Sequence, residues 1–337
     1  MARRALFCTK SFKDLYSSAT EAFRNGNLEL AAEFNSRALL LDEPSWKDVA
    51  AVNLNQAHIL KLLAKFPEAL TTAQKGLEAL DRNFSSNKLE VCHALNVVAE
   101  LNCELGNFDA ALKDIVRAIE IDSRVGGPVF SNPRLGKSYN IKGAILLNQD
   151  MLSQARSDFI RALAINVSCY GRSRPLALPI GITLSNIANV LHKEGEGAEC
   201  CVAIYREVVD SFEQKQDNSW MVGAALSDLA ESLILTKTSA GVGEAKGLLA
   251  RSLHILLSTR GIHHPSTEKS AALLKNISTS EDNAGLEPTE YANDFVDTLL
   301  NECELVIPKL DGTVSGDIIF LDRRGHVGHG HPHTRLF

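Results

Sequence analysis

The sequence predicts an all-helical protein built from stacked helix hairpins, and three observations support that prediction. Only 6% of the 337 residues are aromatic, although hydrophobic residues make up 45% of the chain. Leu and Ala recur at the spacing of one helix face and not at the alternation of a strand. The helical pattern also returns at intervals of roughly 40 residues, which indicates repeated supersecondary units.

Small residues mark the repeat. A predicted helix ends near each of five positions: Gly26, Ala64, Gly106, Asp150 and Gly195. Five positions after each end, a second helix places a small residue, and a sixth member follows: Ala31, Ala69, Ala111, Ala155, Cys200 and Ala245. Seven positions further on, a small residue recurs in every unit but the fifth, which has Glu207: Ala38, Gly76, Ala118, Ala162 and Ser252. Two antiparallel helices approach closely only where side chains are small, so the pattern predicts packed hairpins.

The segments GNLELAAEFNSRALLLDEP and GNFDAALKDIVRAIEID resemble the turn and second helix of tetratricopeptide repeats. The resemblance covers about residues 12 to 278. The anchor spacings of 38, 42, 44, 45 and 45 residues are similar to the longer repeats of kinesin light chains and nephrocystin-like proteins. The resemblance implies a right-handed α-α superhelix, a solenoid whose concave groove binds a segment of a partner protein.

Four regions are predicted along the chain. Residues 1–11 form a basic N-terminal segment, and residues 12–278 form the array of about six hairpins and a partial seventh. Residues 279–308 contain a loop and a helix that caps the array. Residues 309–337 are a Gly- and His-rich tail, in which DIIFLD predicts a short strand and the remainder is expected to be flexible.

A row of polar residues recurs in the first helices of the predicted hairpins. Asn55, Asn186 and Asp228 occupy the same place in their repeats, while Asn96 and Asn140 lie one position earlier. An Asn side chain can both donate to and accept from a peptide backbone, so the row is a candidate partner-binding groove. The alternatives are that these side chains bond to neighbouring helices or are merely solvated.

One branch of the family that the chain resembles clamps the C-terminal carboxylate of heat-shock chaperones with Lys, Asn and Arg side chains. The turn alignment places Ser17, Glu21, Asn55, His93 and Val97 in those positions. Asn55 alone has the required type, and the carboxylate of Glu21 would repel the ligand. The sequence therefore disfavours this form of ligand.

The sequence offers no catalytic or cofactor motif, so we predict a protein that is not an enzyme and carries no cofactor or metal. A formal charge of -6 without a basic cluster excludes a nucleic-acid partner. No apolar run is long enough to predict a membrane span. The tail places His326, His329, His331 and His333 close together, which leaves metal handling as a less favoured alternative.

The predicted function is that of a cytoplasmic scaffold or adaptor that binds a protein or peptide partner. The first thirteen residues, MARRALFCTKSFK, contain four bases and no acid. They keep open the alternative of a mitochondrial factor for the assembly of a larger complex.

Overall fold

The structure, a computed structural model, describes residues 11–24, 27–41, 45–84, 88–125, 127–195, 197–214, 220–279, 318–321 and 327–330. Thirteen α-helices form almost all of this described part and confirm the all-α fold class. Their bounds are α1 Phe12–Arg24, α2 Leu28–Ala38, α3 Trp46–Leu62, α4 Phe66–Asp81, α5 Lys88–Glu104, α6 Phe108–Val125, α7 Pro133–Asn148, α8 Leu152–Tyr170, α9 Leu178–Lys193, α10 Ala198–Gln214, α11 Trp220–Leu235, α12 Ser239–Arg260 and α13 Pro265–Thr279.

The chain divides into two compact units, Met1–Gly126 and Gly127–Phe337. The first unit holds the hairpins α1–α2, α3–α4 and α5–α6. The second begins with a short 3-10 helix, Val129–Ser131, and holds α7–α8, α9–α10 and α11–α12, followed by α13. The sequence pattern predicts one continuous array, whereas the Gly-Gly-Pro sequence ahead of the 3-10 helix marks a boundary between units.

Each described hairpin turn contains a residue in the left-handed conformation, which ends the first helix. The φ angles are 57° at Ala64, 76° at Gly106, 62° at Asp150, 71° at Gly195 and 56° at Lys237. The first four are the helix ends that the sequence predicts, and Gly26 lies outside the described residues. Glycine favours this conformation at Gly106 and Gly195, whereas Ala64 and Lys237 adopt it against the preference of their side chains.

Side-chain caps fix several helix starts. Asn27 accepts a hydrogen bond from the Leu30 amide, and Ser45 and Asp48 form a reciprocal capping box at the start of α3. Thr238 caps α12 through the Gly241 amide. These caps satisfy helix N–H groups that have no partner within the helix.

The recurrent small residues lie where the hairpins pack, as predicted. Within the described units these alanines are 0% exposed: Ala31, Ala38, Ala69, Ala111, Ala118, Ala155, Ala162 and Ala245. At Gly76 an added Cβ would lie 3.1 Å from Leu54 Cγ and 3.3 Å from the Ala50 carbonyl oxygen. First helices contribute glycines of their own, since a Cβ at Gly143 would lie 2.7 Å from the Phe159 ring. Backbone approach at these points leaves no room for a larger side chain.

The fifth hairpin differs from the predicted alignment by one residue. Gly195 and Gly197 both have positive φ, so the turn is one residue longer and Cys201, not Cys200, follows the helix start at the usual distance. Cys201 is 1% exposed, and Val208, seven positions later, is fully buried. The predicted alignment of Glu207 with the small-residue position of the other hairpins is therefore wrong. The Glu207 carboxylate lies nearer the surface than the Val208 side chain and pairs with Arg174 at 2.7 Å.

Beyond α13 the structure describes one antiparallel pair of strands, β1 Ile318–Leu321 and β2 Val327–Gly330. The first strand lies in DIIFLD, where a strand is predicted. The second lies in the segment expected to be flexible, where the sequence predicts no strand, and it pairs with β1 in an antiparallel register. The predicted capping helix and the remainder of the tail, including His326, His331 and His333, lie outside the described residues.

Candidate functional site

The first helices of the second unit are joined by polar contacts between successive hairpins. The Nδ2 group of Asn186 on α9 donates to Oδ1 of Asn140 on α7 at 3.2 Å, and both side chains are partly exposed. This bond uses one group of each amide. The Nδ2 group of Asn140 and the Oδ1 atom of Asn186 take no part in this bond.

Helix α9 extends this polar surface. Ile182, Asn186 and Asn189 share one side of the helix, and Ile182 is 37% exposed. The buried Tyr205 hydroxyl donates to Asn189 Oδ1 at 2.8 Å, while the Ser185 carbonyl oxygen lies 3.2 Å away. Burial, together with nearby Asp228, raises the pKa of Tyr205 well above its ordinary value. The neutral phenol is thus a fixed donor that orients the Asn189 amide.

Two carboxylates on α11 share one ammonium from α13. Lys269 Nζ lies 2.8 Å from Asp228 Oδ1 and 2.8 Å from Glu231 Oε2. The side chains of Asp228 and Glu231 are 21% and 27% exposed. The cluster carries a formal charge of -1 when both acids are ionised, because one cation faces two anions.

The pKa values of Asp228 and Lys269 also reflect the presence of two carboxylates and one ammonium. Burial raises the pKa of Asp228, and the neighbouring Glu231 carboxylate adds to the shift, although Lys269 lowers it. Burial lowers the pKa of Lys269, but Asp228 and Glu231 more than offset this effect and hold it above its ordinary value. The ammonium is therefore held protonated, while the two carboxylates repel each other.

We call this surface the first-helix face of the second unit. It is formed by side chains from four first helices: Asn140 of α7, Ile182, Asn186 and Asn189 of α9, Asp228 and Glu231 of α11, and Lys269 of α13. The structure thus brings two of the five predicted groove residues, Asn140 and Asn186, into contact and places a third, Asp228, on a further first helix. The contact of Asn140 with Asn186, and that of Asp228 with Lys269, show that these side chains bond to other first helices, which is one alternative to a role in the groove.

The other two predicted groove residues lie in the first unit. The Nδ2 group of exposed Asn55 on α3 donates to the Tyr16 hydroxyl of α1 at 2.7 Å. Asn96 is only 2% exposed, in a stretch of α5 where Leu95 and Val98 are also buried. Its amide faces the interior and is not available at the surface in this structure. The expected row of five surface contacts therefore needs correction at Asn96.

Sequence reasoning missed Asn189, Tyr205, Glu231 and Lys269. A signal for Lys269 exists, because it follows Asp228 by 41 residues, close to the 46 residues that separate Asn140 from Asn186. Contacts between neighbouring first helices have about the repeat length as their sequence separation. Searching for opposite charges at that separation would have found the Asp228–Lys269 pair.

Two solved structures share the arrangement of helices. The Rap protein in complex with Competence and Sporulation Factor aligns over 79% of this chain and 74% of its own, with a TM-score of 0.54 and 15% identity. The apo form of RapI aligns over 88% of this chain and 96% of its own, with a TM-score of 0.55 and 15% identity. These likenesses, with hairpins that meet at recurrent small residues, settle the architecture. The chain has the tetratricopeptide-repeat fold.

One curated relative matches a third of this sequence. The DnaJ homolog subfamily C member 7 homolog of Schizosaccharomyces pombe is 28% identical over 114 residues, which is 34% of this chain. The chain spans 22% of the length of that relative. No family model matches the sequence.

None of the helices in the described part is long and apolar enough to cross a bilayer. Within the same residues, no group of three or more His, Cys, Asp or Glu side chains is arranged to hold a metal ion.

Proposed function

We propose that this protein is a scaffold that binds an extended segment of a partner protein on the first-helix face of the second unit. The observation that carries the proposal is the partly exposed Asn140–Asn186 amide pair, in which one donor group and one acceptor atom take no part in the mutual bond. A peptide backbone offers the complementary acceptor and donor along its whole length. The pair can therefore bind the main chain of a partner segment whatever side chains that segment carries.

The surroundings of the amide pair support this proposal. Tyr205 fixes Asn189 on the same side of α9, and exposed Ile182 adds an apolar contact one turn from Asn186. Side chains held by the fold lose little further entropy when a ligand binds. The Rap protein, which has the same fold, was crystallised with Competence and Sporulation Factor. Binding of another molecule by this chain is our proposal and is consistent with that example.

Position-specific photocrosslinking tests the proposal. A photoreactive benzoylphenylalanine replaces Ile182 on the first-helix face, and in a control protein it replaces Arg206, which is exposed on the second helix α10. Both proteins are expressed in the native cell and the crosslinked partners are identified by mass spectrometry. We expect one or more partners that crosslink from position 182 and not from position 206.

Asparagine variants complete this experiment. Asn140→Ala and Asn186→Ala should each reduce crosslinking from position 182, because each removes one half of the amide pair. Equal capture from both positions, or capture from position 182 that neither variant reduces, would count against the first-helix face as the binding surface.

A cytoplasmic location stays a prediction, and the basic N-terminal residues keep mitochondria open as the alternative. Sequencing the mature N-terminus of the protein from fractionated cells tests it. A chain that retains MARRALFCTKSFK in the cytosolic fraction would support the cytoplasmic location, and a shortened chain in mitochondria would contradict it.

A further inference from the structure

We propose that α13 is a single terminal helix that detaches from the array while the six hairpins stay folded. Two charged residues of this helix stand where the hairpins have small residues, and its buried side is more polar than that of α11. Segments that bury little apolar surface open at a lower free energy than the whole protein. The proposed detachment does not depend on the proposed partner.

Each hairpin from α3–α4 to α11–α12 places two small residues, seven positions apart, on its first helix. These residues are buried in every pair: Ala50 and Ala57, Cys92 and Ala99, Gly136 and Gly143, Gly181 and Ala188, and Gly223 and Ala230. They lie against the second helix of the same hairpin. Cys201 Sγ donates to the Ala188 carbonyl oxygen at 3.4 Å, and Ser252 Oγ donates to the Gly223 carbonyl oxygen at 2.7 Å. Small side chains at both positions therefore allow the two helices to approach closely.

In α13 the equivalent positions carry charged side chains. The helix starts at Pro265, 45 residues after Trp220 at the start of α11, so Glu268 and Lys275 take the places of the small pair in α11. Both side chains are exposed. A charged side chain costs free energy when a second helix packs over it and removes it from water. This side of α13 is thus suited to water, and the opposite side attaches the helix to the array.

The buried side of α13 is more polar than that of α11. Of the α13 side chains that the structure describes, Thr267, Ser270 and Ile277 are buried, and only Ile277 is apolar. Helix α11 buries six apolar side chains: Val222, Ala225, Leu226, Leu229, Ala230 and Leu233. Burial of apolar surface is the main stabilising contribution to packing. Packing therefore stabilises the attachment of α13 less than that of α11.

Polar contacts attach α13 to α11 and α12. Ser270 Oγ lies 2.9 Å from Ser227 Oγ of α11 and 3.1 Å from Ser252 Oγ of α12. The side chain of Lys269, which is 43% exposed, pairs with two carboxylates of α11. Water offers similar partners to these groups once the helix has moved away, so such contacts stabilise the attachment only modestly.

Detachment of α13 changes the first-helix face of the second unit without opening a hairpin. Helices α11 and α12 stay joined, because Ser252 bonds directly to the Gly223 carbonyl oxygen. The first-helix face then loses the ammonium of Lys269, and Ser227 of α11 becomes accessible. The face therefore has two forms, one with α13 attached and one with α13 detached.

Native-state hydrogen exchange tests the detachment. The full-length protein is incubated in deuterated buffer and digested with pepsin, and the deuterium content of each peptide is measured by mass spectrometry. After correction for intrinsic rates, we expect the amides of Pro265–Thr279 to exchange at least about tenfold faster than those of Trp220–Leu235, which open only with the hairpins. Equal protection of the two helices would overturn the proposal.

Two substitutions test whether the contacts with α11 hold α13. Lys269→Met removes the ion pairs and should increase exchange in α13 about threefold, while α11 exchanges at the wild-type rate. Arg206→Met removes an ion pair between α10 and α12 and should leave exchange in α13 unchanged. An equal increase in α11 and α13 in the Lys269→Met protein would contradict a separate detachment.

A disulfide distinguishes detachment of the whole helix from fraying of its end. Ser227→Cys/Ser270→Cys places two thiols where the hydroxyl oxygens lie 2.9 Å apart, and oxidation should join α13 to α11. Exchange in α13 should slow about tenfold in the oxidised protein and recover on reduction. If exchange stays fast although mass spectrometry shows the disulfide, fraying explains it and the proposal fails. None of these measurements involves a partner, so their failure leaves the scaffold proposal unaffected.

Discussion

The Arg260 guanidinium carbon lies 3.9 Å from the centre of the Trp220 ring, a cation–π contact that joins the end of α12 to the start of α11. His264 extends this contact into the following turn. Its Nδ1 atom accepts a hydrogen bond of 3.2 Å from the Ser266 amide, and its Nε2 atom lies 3.4 Å from Arg260 Nη1. Because Nδ1 is an acceptor, the neutral ring carries its proton on Nε2, so the approach of Nε2 to Arg260 joins two donors and is not a hydrogen bond.

This contact predicts a pH dependence of stability. Burial, and then the charge of Arg260, hold the pKa of His264 below its ordinary value of 6.5. The stabilising contribution of a base with a lowered pKa is present above about pH 6.5 and is lost as the pH falls through the folded-state value. We expect the free energy of unfolding, followed by Trp fluorescence in urea, to decrease below pH 6.5.

Two variants isolate the contribution of His264. His264→Asn keeps a hydrogen-bond acceptor that does not titrate, so the decrease below pH 6.5 should be smaller than in the wild type. His263→Asn changes an exposed neighbour and should leave the decrease as it is. The assignment fails if the wild-type and His264→Asn curves run parallel.

The left-handed turn residues predict a pair of opposite stability changes. Ala64 has a φ of 57°, where its Cβ is unfavourable, so Ala64→Gly should raise the free energy of unfolding by about 0.5 kcal/mol. Gly106 occupies the equivalent place with a φ of 76°, and Gly106→Ala should lower it by about 1 kcal/mol. Urea unfolding measures both, and a loss of stability in Ala64→Gly would show that the turn does not require this conformation.

Helix approach predicts that two glycines in helices respond differently to the same substitution. Gly143→Ala puts a Cβ 2.7 Å from the Phe159 ring and should cost about 1–3 kcal/mol. Gly247→Ala, in α12, meets nothing within 4 Å and should stabilise the protein by about 0.5–1 kcal/mol through helix propensity. Calorimetric melting temperatures compare the two. Gly143→Ala should lose part of its penalty when combined with Phe159→Leu, and an unchanged penalty would point to another contact.

Cysteine reactivity reports on the packing of the fifth hairpin. Burial, with Cys200 and Glu199 nearby, raises the pKa of Cys201 to about 12, and the side chain is 1% exposed. At pH 8 only about one thiol in ten thousand is then ionised. Peptide mass spectrometry after iodoacetamide treatment should show Cys201 modified far more slowly than partly exposed Cys103. Equal rates in the native protein, with both rising in urea, would contradict close packing around Cys201.

Much of the fold could be predicted from the sequence because hairpin turns and close helix contacts restrict residue type. Gly106, Gly195 and Asp150 locate turns on this ground, whereas the turn at Ala64 is located only by the repeat spacing. The predicted alignment of the fifth hairpin is wrong because it assumes the same distance from helix end to small residue in every hairpin. One extra turn residue, Gly197, lengthens that distance here. Its correct position, Cys201, differs from the predicted Cys200 by a rotation of about 100° around the helix axis.

The candidate site was harder to predict. Position in the repeat places a residue on a first helix but does not determine how deeply neighbouring helices cover it, which is why Asn96 is buried and Asn186 is not. The charge of a residue in the sequence also does not show which other side chain it contacts. Glu231 and Lys269 acquire their importance from a contact between α11 and α13, which only the packed structure reveals.

Lys269 fastens the last described helix of the array to its neighbour through Asp228 and Glu231. The anchor of α13 is therefore an ion-pair contact near the surface, in addition to apolar packing. Because dissolved salt screens the attraction between partly exposed charges, raised ionic strength should weaken the attachment of α13 before it affects the buried contacts between hairpins.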